Sequence, residues 1–329
     1  MTDAYPKLAA ERDRWIVSRR APKNAVDPRR PYAFHVERER TAGGEIVEVA
    51  TIFLTNRECP WRCVYCDLWK NTLDRPTPRG AVPAQIEFAL PHLPAGSPRH
   101  LKLYNSGSFF DAGAIPPGDY GGIAQRVSGF ERIIVECHPA LVGDRILRFR
   151  DLLPARTALE IAMGLETAHP ETLEKLNKRM TLDDFARATS FLRQSQVDTR
   201  AFILVKPPFL QEEPEALVWA KKSLDFALQV GVAVAVLIPT RGGNGALEAL
   251  ARQGRFSPPQ LVTIEDAAAY GIGLRAGRVF ADVWDLEAFA DCPDCLRPRK
   301  ARLEAMNLHQ EILPPVRCPA CAGSSPTGT

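Results

Sequence analysis

The sequence predicts an α/β fold: a partial (β/α)6 parallel barrel of the TIM-like kind, with a β-hairpin extension before it and a small four-cysteine, metal-binding tail after it. Three observations lead there. From about residue 51, short β-branched runs alternate with longer amphipathic stretches, the pattern of βα units around a parallel sheet. The strand runs are only five to seven residues long and largely apolar, as strands buried on both faces are. The chain has 329 residues, 45% of them hydrophobic and 25% charged, which is ordinary globular composition and enough to bury a sizeable core.

The six strand runs are TIFLT (51–55), LKLYN (101–105), RIIVEC (132–137), LEIAMG (159–164), TRAFILV (199–205) and VAVAVLI (232–238). Helical periodicity fills the intervals at 83–92, 119–128, 141–151, 170–177 with 182–195, and 214–230. After the sixth run, ALEALARQ and IEDAAAYGIGL read as helices and RVFADVW as a last strand. Residues 51–285 are therefore taken as the barrel. Residues 1–50 form an arginine-rich arm whose end alternates around Gly43-Gly44, the signature of a β-hairpin leading into the first barrel strand. Residues 286–329 form the tail, and its last segment, GSSPTGT, is expected to lack structure.

Net charge is +3 and the isoelectric point about 8.4, a bias that permits a polyanionic partner without requiring one. No segment is apolar and long enough to cross a bilayer, so no membrane association is expected. MTDAYPKLAAERDRW at the N-terminus lacks the apolar centre of a signal peptide, which points to the cytoplasm. In that reducing compartment the eight cysteines are not expected to pair as disulfides, and their spacing sets three groups apart from a lone Cys137.

ECPWRCVYCDLW (58–69) places Cys59, Cys63 and Cys66 in a loop just after the first barrel strand. The C-terminal ends of barrel strands are where such folds put their chemistry. Three thiolates can each ligate one iron of a [4Fe-4S] cluster and leave the fourth iron open. A structural zinc ion would want four ligands. Asp67 is the local candidate for the fourth, with Cys137 or His138 as distant ones.

CxxxCxxC with an aromatic residue, Tyr65, before its last cysteine resembles the radical S-adenosylmethionine superfamily. The resemblance spans about residues 50–300. It is closest to the branch that includes the Elongator catalytic subunit and the radical component of archaeosine synthase. It implies a [4Fe-4S] cluster on Cys59, Cys63 and Cys66 that binds S-adenosylmethionine, and reductive cleavage to a 5′-deoxyadenosyl radical. It also implies an electron donor such as flavodoxin or ferredoxin. Asn105-Ser106-Gly107-Ser108-Phe109 matches the branch's SGSF-like turn; the superfamily's usual GGE glutamate is absent, so contact with the cofactor's methionine part should come mainly from backbone. By similarity Glu136 reaches the cofactor's ribose or amino group, and GLET (164–167), with Glu166, lines the adenosyl side. Glu160 is a further acidic candidate, and Lys206 of KPPF, after the fifth strand run, a possible substrate contact. Cys137 reads as a small buried hydrophobe. Arg241 in PTRGGNG could meet an anionic group.

In the tail, Cys292 and Cys295 form one CxxC pair and Cys318 and Cys321 another, the spacing of a four-cysteine zinc site. An auxiliary iron–sulfur cluster could use the same four thiolates. Arg297, Arg299, Lys300 and Arg302 between the pairs could meet RNA phosphates or form a solvated helix face.

Three functions remain open at this level. One is radical chemistry on a modified nucleoside, in tRNA, as the archaeosine-synthase resemblance implies. No RNA-binding domain is recognisable, so tRNA would need a tRNA-modifying partner or the basic arm and tail. The second is the same chemistry on a small molecule or peptide. The third is a non-catalytic metal-binding module of an RNA assembly.

Overall fold

Eight strands follow one another across a single sheet in chain order: β1 (Ala33–Arg40), β2 (Ile46–Leu54), β3 (His100–Asn105), β4 (Arg132–Glu136), β5 (Ala158–Glu166), β6 (Asp198–Val205), β7 (Val234–Pro239) and β8 (Arg278–Ala281). They belong to a computed structural model that describes residues 4–93 and 98–322; the GSSPTGT end lies outside the described residues. Neighbours from β2 to β8 are parallel, and β1 folds back antiparallel on β2. The sheet curls into a half barrel.

The β1–β2 turn is closed by Thr41 N–H on Glu45 O at 2.7 Å and Gly44 N–H on Thr41 O at 3.1 Å. Gly44 has φ +88°, which only glycine adopts freely. The first parallel strand is longer than expected, starting at Ile46 rather than residue 51. It is the second arm of the hairpin as well as the first barrel strand, and the ladder with β1 orders its N-terminal half. Helices expected between the strands are present, among them Ala81–Ala89, Leu182–Gln194 and Glu213–Gln229. Leu182–Gln194 starts at a capping box in which Thr181 and Asp184 satisfy each other's backbone N–H groups.

Side chains alternate along these strands. Ile52, Leu54, Leu101, Leu103, Ile133, Val135, Ile161 and Ile203 face outward and are wholly buried with Val82, Ile86, Ile123, Leu192 and Leu224 in the main core. The alternate positions face the lumen. Its lower part, near the strand N-termini, is filled by ions. Arg200 binds Glu39 at 2.9 Å and Glu160 at 2.6 Å, Lys102 binds Glu37 at 2.5 Å and also Glu39, and Arg132 binds Glu160 at 3.2 Å and Asp198 at 2.5 Å. Desolvation opposes charge on Glu39, but Arg200 and Lys102 hold it well below the carboxylate range. Glu160 is part of this ionic plug and stands away from the mouth.

The helix Pro293–His309 lies against both outer strands, β1 and β8. Leu303 and Met306 are fully buried there. Asn307 donates to and accepts from Ala281, and Gln310 does the same with Val279, all at 2.8 Å. Two side-chain amides thus satisfy the free edge of β8 as a further strand would.

Candidate active site

The cysteine loop leaves β2 over the C-terminal mouth of the half barrel and is fastened at both ends. The buried amide of Gln85 accepts from Thr55 N–H at 2.8 Å and donates to Thr55 O at 2.7 Å. Glu58 receives Arg20 at 2.7 Å, Lys23 at 2.8 Å and Arg62 at 3.2 Å. Those cations outweigh desolvation and keep its carboxyl below the usual range. Val64 N–H donates to Leu176 O at 3.0 Å. Asn177 Nδ2 donates to Arg62 O and Asn244 Nδ2 to Val64 O, each at 2.8 Å. The N-terminal arm takes part: Asp13 accepts from Asn177 at 2.8 Å, and Arg12 pairs with Glu174 at 3.0 Å. Two of the arm's basic residues, Arg20 and Lys23, therefore hold this loop.

Cys59, Cys63 and Cys66 are half-buried, and burial pushes each thiol up to about 12. A metal that binds them must displace three protons. Among the described residues, the one set whose ligand atoms all lie within 4.8 Å of one another is the tail quartet. The triplet is more widely spaced.

The turn after β3 meets this loop. Gly107 has φ +145°, and a Cβ on it would come within 3.0 Å of Cys59 Cβ. Glycine there lets backbone lie directly against Cys59. Ser106 Oγ donates to Leu68 O at 2.9 Å, and Ser108 Oγ reaches Cys137 Sγ at 3.5 Å. Glu136 Oε2 accepts from Asn105 N–H at 2.6 Å. Burial nevertheless outweighs that bond and raises its carboxyl to about 8, so it is largely protonated at neutral pH.

Glu166, on the next strand, sits at φ +67° and pairs with Lys178 at 2.6 Å. A Cβ at Gly164 would overlap both Glu166 Oε1 and Lys178 Nζ, so the glycine of GLET makes room for the pair. Tyr65 lies beside Glu166 and Cys63, and burial, reinforced by these neighbours, holds its hydroxyl well above the ordinary value. Lys178 opposes the effect of burial at Cys59 and Cys63. His138 stacks on Trp61 with ring centroids 3.7 Å apart and planes 6° from parallel. Its Nε2–H donates to Lys178 O at 3.0 Å and Nδ1 accepts from Ala140 N–H at 3.1 Å, so the tautomer is assigned by its partners. Desolvation lowers this imidazole to about 3 and keeps it neutral.

Lys206 is placed differently from its sequence expectation. It is buried, and its ammonium binds Glu213 at 2.5 Å, Ser257 Oγ at 2.8 Å and Pro258 O at 3.3 Å. Arg241 is held by Asp282 at 2.8 Å and by Trp284 O. Sequence reasoning missed Lys178, Asn177 and Asn244. Asn105, at the end of β3, is buried with neither side-chain amide atom partnered among the described residues. An asparagine in a loop carries no local signal of what it will meet.

In the tail, Cys292 and Cys318 sulfurs lie 3.8 Å apart and Cys295 and Cys321 sulfurs 3.7 Å apart. A tetrahedral ion with bonds of about 2.3 Å to sulfur has edges of about 3.8 Å, so the quartet fits a single ion as it stands. Two of the basic residues between the pairs face inward rather than toward RNA: Arg299 binds Glu265 at 2.9 Å, and Arg302 binds Glu265 at 3.0 Å and Leu313 O at 2.7 Å.

No family model matches the chain. In sequence it is 24% identical over 229 residues to archaeosine synthase subunit beta of Methanosarcina acetivorans, covering 67% of this chain and 66% of that protein. It is 28% identical over 120 residues to the protein of the same name from Thermococcus kodakarensis, covering 35% and 37%. The match thus spans less than two thirds of these relatives' own length. In fold it matches the crystal structure of methylornithine synthase with a TM-score of 0.53 at 14% identity, covering 77% of this chain and 69% of that one. The cysteine triplet over a curled parallel sheet, together with these similarities, agrees with the resemblance to the radical S-adenosylmethionine superfamily read from the sequence.

Proposed function

We propose that this chain is an enzyme in which Cys59, Cys63 and Cys66 hold a [4Fe-4S] cluster with one iron open to S-adenosylmethionine, and that it acts on a modified nucleoside, in tRNA. The observation that carries the reading is the clamped, widely spaced cysteine triplet over the C-terminal mouth of a parallel half barrel. When bound and reduced by a donor such as flavodoxin or ferredoxin, such a cluster supplies the electron that cleaves S-adenosylmethionine to a 5′-deoxyadenosyl radical. The protein's own part is to hold and orient. Gly107 brings backbone against Cys59, Glu136 offers a buried carboxyl at the end of β4, and Glu166 and Lys178 offer opposite charges at the end of β5. Ser106, Ser108 and Tyr65 shape the same wall. The nucleoside substrate rests on the similarity to archaeosine synthase subunit beta.

The tail thiols are assigned to one zinc ion, since their spacing suits one ion better than a cubane. An auxiliary iron–sulfur cluster is the alternative, and metal analysis of the isolated protein separates the two.

Anaerobic reconstitution tests the reading. Wild-type protein should bind about four irons at the triplet, and Cys59→Ala/Cys63→Ala/Cys66→Ala should lose them. Reduced wild type should form 5′-deoxyadenosine. Full iron content in the triple variant would sink the assignment.

A second reading, the same chemistry on a small molecule or peptide, is favoured by the inward engagement of Arg12, Arg20, Arg299 and Arg302. Transfer RNA binding that does not weaken with salt, or is absent, would put it ahead. Among the described residues no helix is long and apolar enough to cross a membrane.

A further inference from the structure

The lumen above the ionic plug has a floor and one wall made of aromatic rings. Tyr104 and Phe202 stand on inward positions two residues beyond Lys102 and Arg200. Their rings meet across the lumen from strands that are not neighbours, with centroids 5.9 Å apart and planes at 90°. Phe53, in register with Tyr104 on β2, continues the surface at 6.3 Å. Trp284, just past β8, leans on Phe53 at 6.1 Å and on His35 of β1 at 4.7 Å. Its backbone is tied to Asp282 by a 2.9 Å hydrogen bond, so the indole is presented from a fixed rim.

These rings differ from those of the core. On the same strands the outward residues Ile52, Leu103 and Ile203 are fully buried, whereas Phe53, Tyr104 and Phe202 keep part of their surface open and Trp284 is 48% exposed. The aromatic surface therefore faces open space. Beside it lies the buried Nε2 of His35, which has no hydrogen-bond partner among the described residues. A buried polar atom without a partner is costly, and an imidazole nitrogen can either donate or accept.

We propose that His35, Phe53, Tyr104, Phe202 and Trp284 form the substrate ring pocket, which takes an uncharged nitrogen heteroaromatic ring of nucleobase type. The rings stack on or edge against its faces, and His35 Nε2 makes one hydrogen bond to its polar edge. Flat, sequence-tolerant stacking of a base on aromatic side chains, with one polar contact to orient it, is the general chemistry of base capture. The proposal rests on the reading of the mouth as an active site, because the cysteine loop lies over the same lumen. It adds the position of the substrate ring and the residues that select it.

The test uses the full-length reconstituted protein with guanosine, adenosine, uridine and ribose 5-phosphate as probes, followed by saturation-transfer NMR and tryptophan fluorescence. At least one of the three nucleosides should bind at least tenfold tighter than ribose 5-phosphate. His35→Phe should weaken that binding about fivefold or more without lowering the melting temperature, since it removes an unpaired buried atom. Trp284→Ala, at an exposed position, serves as the second variant and should weaken it similarly. Nucleosides that bind no better than ribose 5-phosphate, or bind both variants as well as wild type, overturn the inference. Wild type that cleaves S-adenosylmethionine yet fails this binding test sinks the ring pocket alone. Wild type that binds nucleosides through His35 but carries no cluster sinks the enzyme reading alone.

Discussion

The carboxylate of Glu166 lies 2.6 Å from the ammonium of Lys178, and the two are buried together beside Cys63 and Tyr65 at the end of β5. Removing one partner of a buried pair leaves a charge without compensation, which typically costs about 3–5 kcal/mol. Lys178→Met should therefore lower the midpoint of urea unfolding sharply, while Glu166→Gln/Lys178→Met together should recover part of the loss. Gly164→Ala should behave like the single variant, because its Cβ overlaps the pair. A Lys178→Met protein as stable as wild type would show that the pair contributes nothing.

Glu136 supplies a pH signature. Its ordinary value is 4.5 and burial raises it to about 8, so in the folded state it keeps its proton where the unfolded chain has lost it. Its contribution to stability is fully present below about pH 4.5, falls as pH rises, and is gone above pH 8. Denaturation of wild type and Glu136→Gln across that range should diverge, with the glutamine variant relatively more stable at pH 8. Parallel curves would mean that Glu136 titrates normally.

Lys206 separates structure from site. Its ammonium is held by Glu213, Ser257 and Pro258, so Lys206→Met should destabilise the fold by about 1–3 kcal/mol, the cost of a charged group left without its partner. Affinity for S-adenosylmethionine, measured by calorimetry, should stay within twofold of wild type. A stable variant with lost affinity would return Lys206 to the site.

The tail should respond to chelation in part only. Leu303 and Met306 are buried, and Asn307 and Gln310 satisfy the edge of β8, so the helix Pro293–His309 is anchored by protein contacts. Metal removal should raise hydrogen exchange at Cys318–Cys321 and leave residues 300–310 protected. Asn307→Leu should instead loosen the helix and β8 together, because it strips two backbone groups of partners at about 1–3 kcal/mol each. Uniform deprotection of the whole tail by chelation would show that the metal, not the barrel, holds the helix.

Periodicity and spacing determined a good deal by themselves. Short, largely apolar β-branched runs alternating with longer amphipathic stretches located the parallel strands, and CxxxCxxC after the first of them marked the loop that the barrel carries over its mouth. Two CxxC pairs foretold four converging sulfurs. These are local or short-range patterns, fixed by backbone geometry and ligand count. Tertiary structure alone decided which charges oppose each other. Glu160 and Glu166 lie six residues apart on one strand, yet one joins the ionic plug with Arg200 and the other meets Lys178 at the mouth. The same holds for Lys206, read as a possible substrate contact, and Arg302, read as an RNA contact or part of a solvated helix face; they face Glu213 and Glu265. The partner of a long charged side chain depends on which strands and helices curl toward one another, and no residue spacing along the chain encodes that distance.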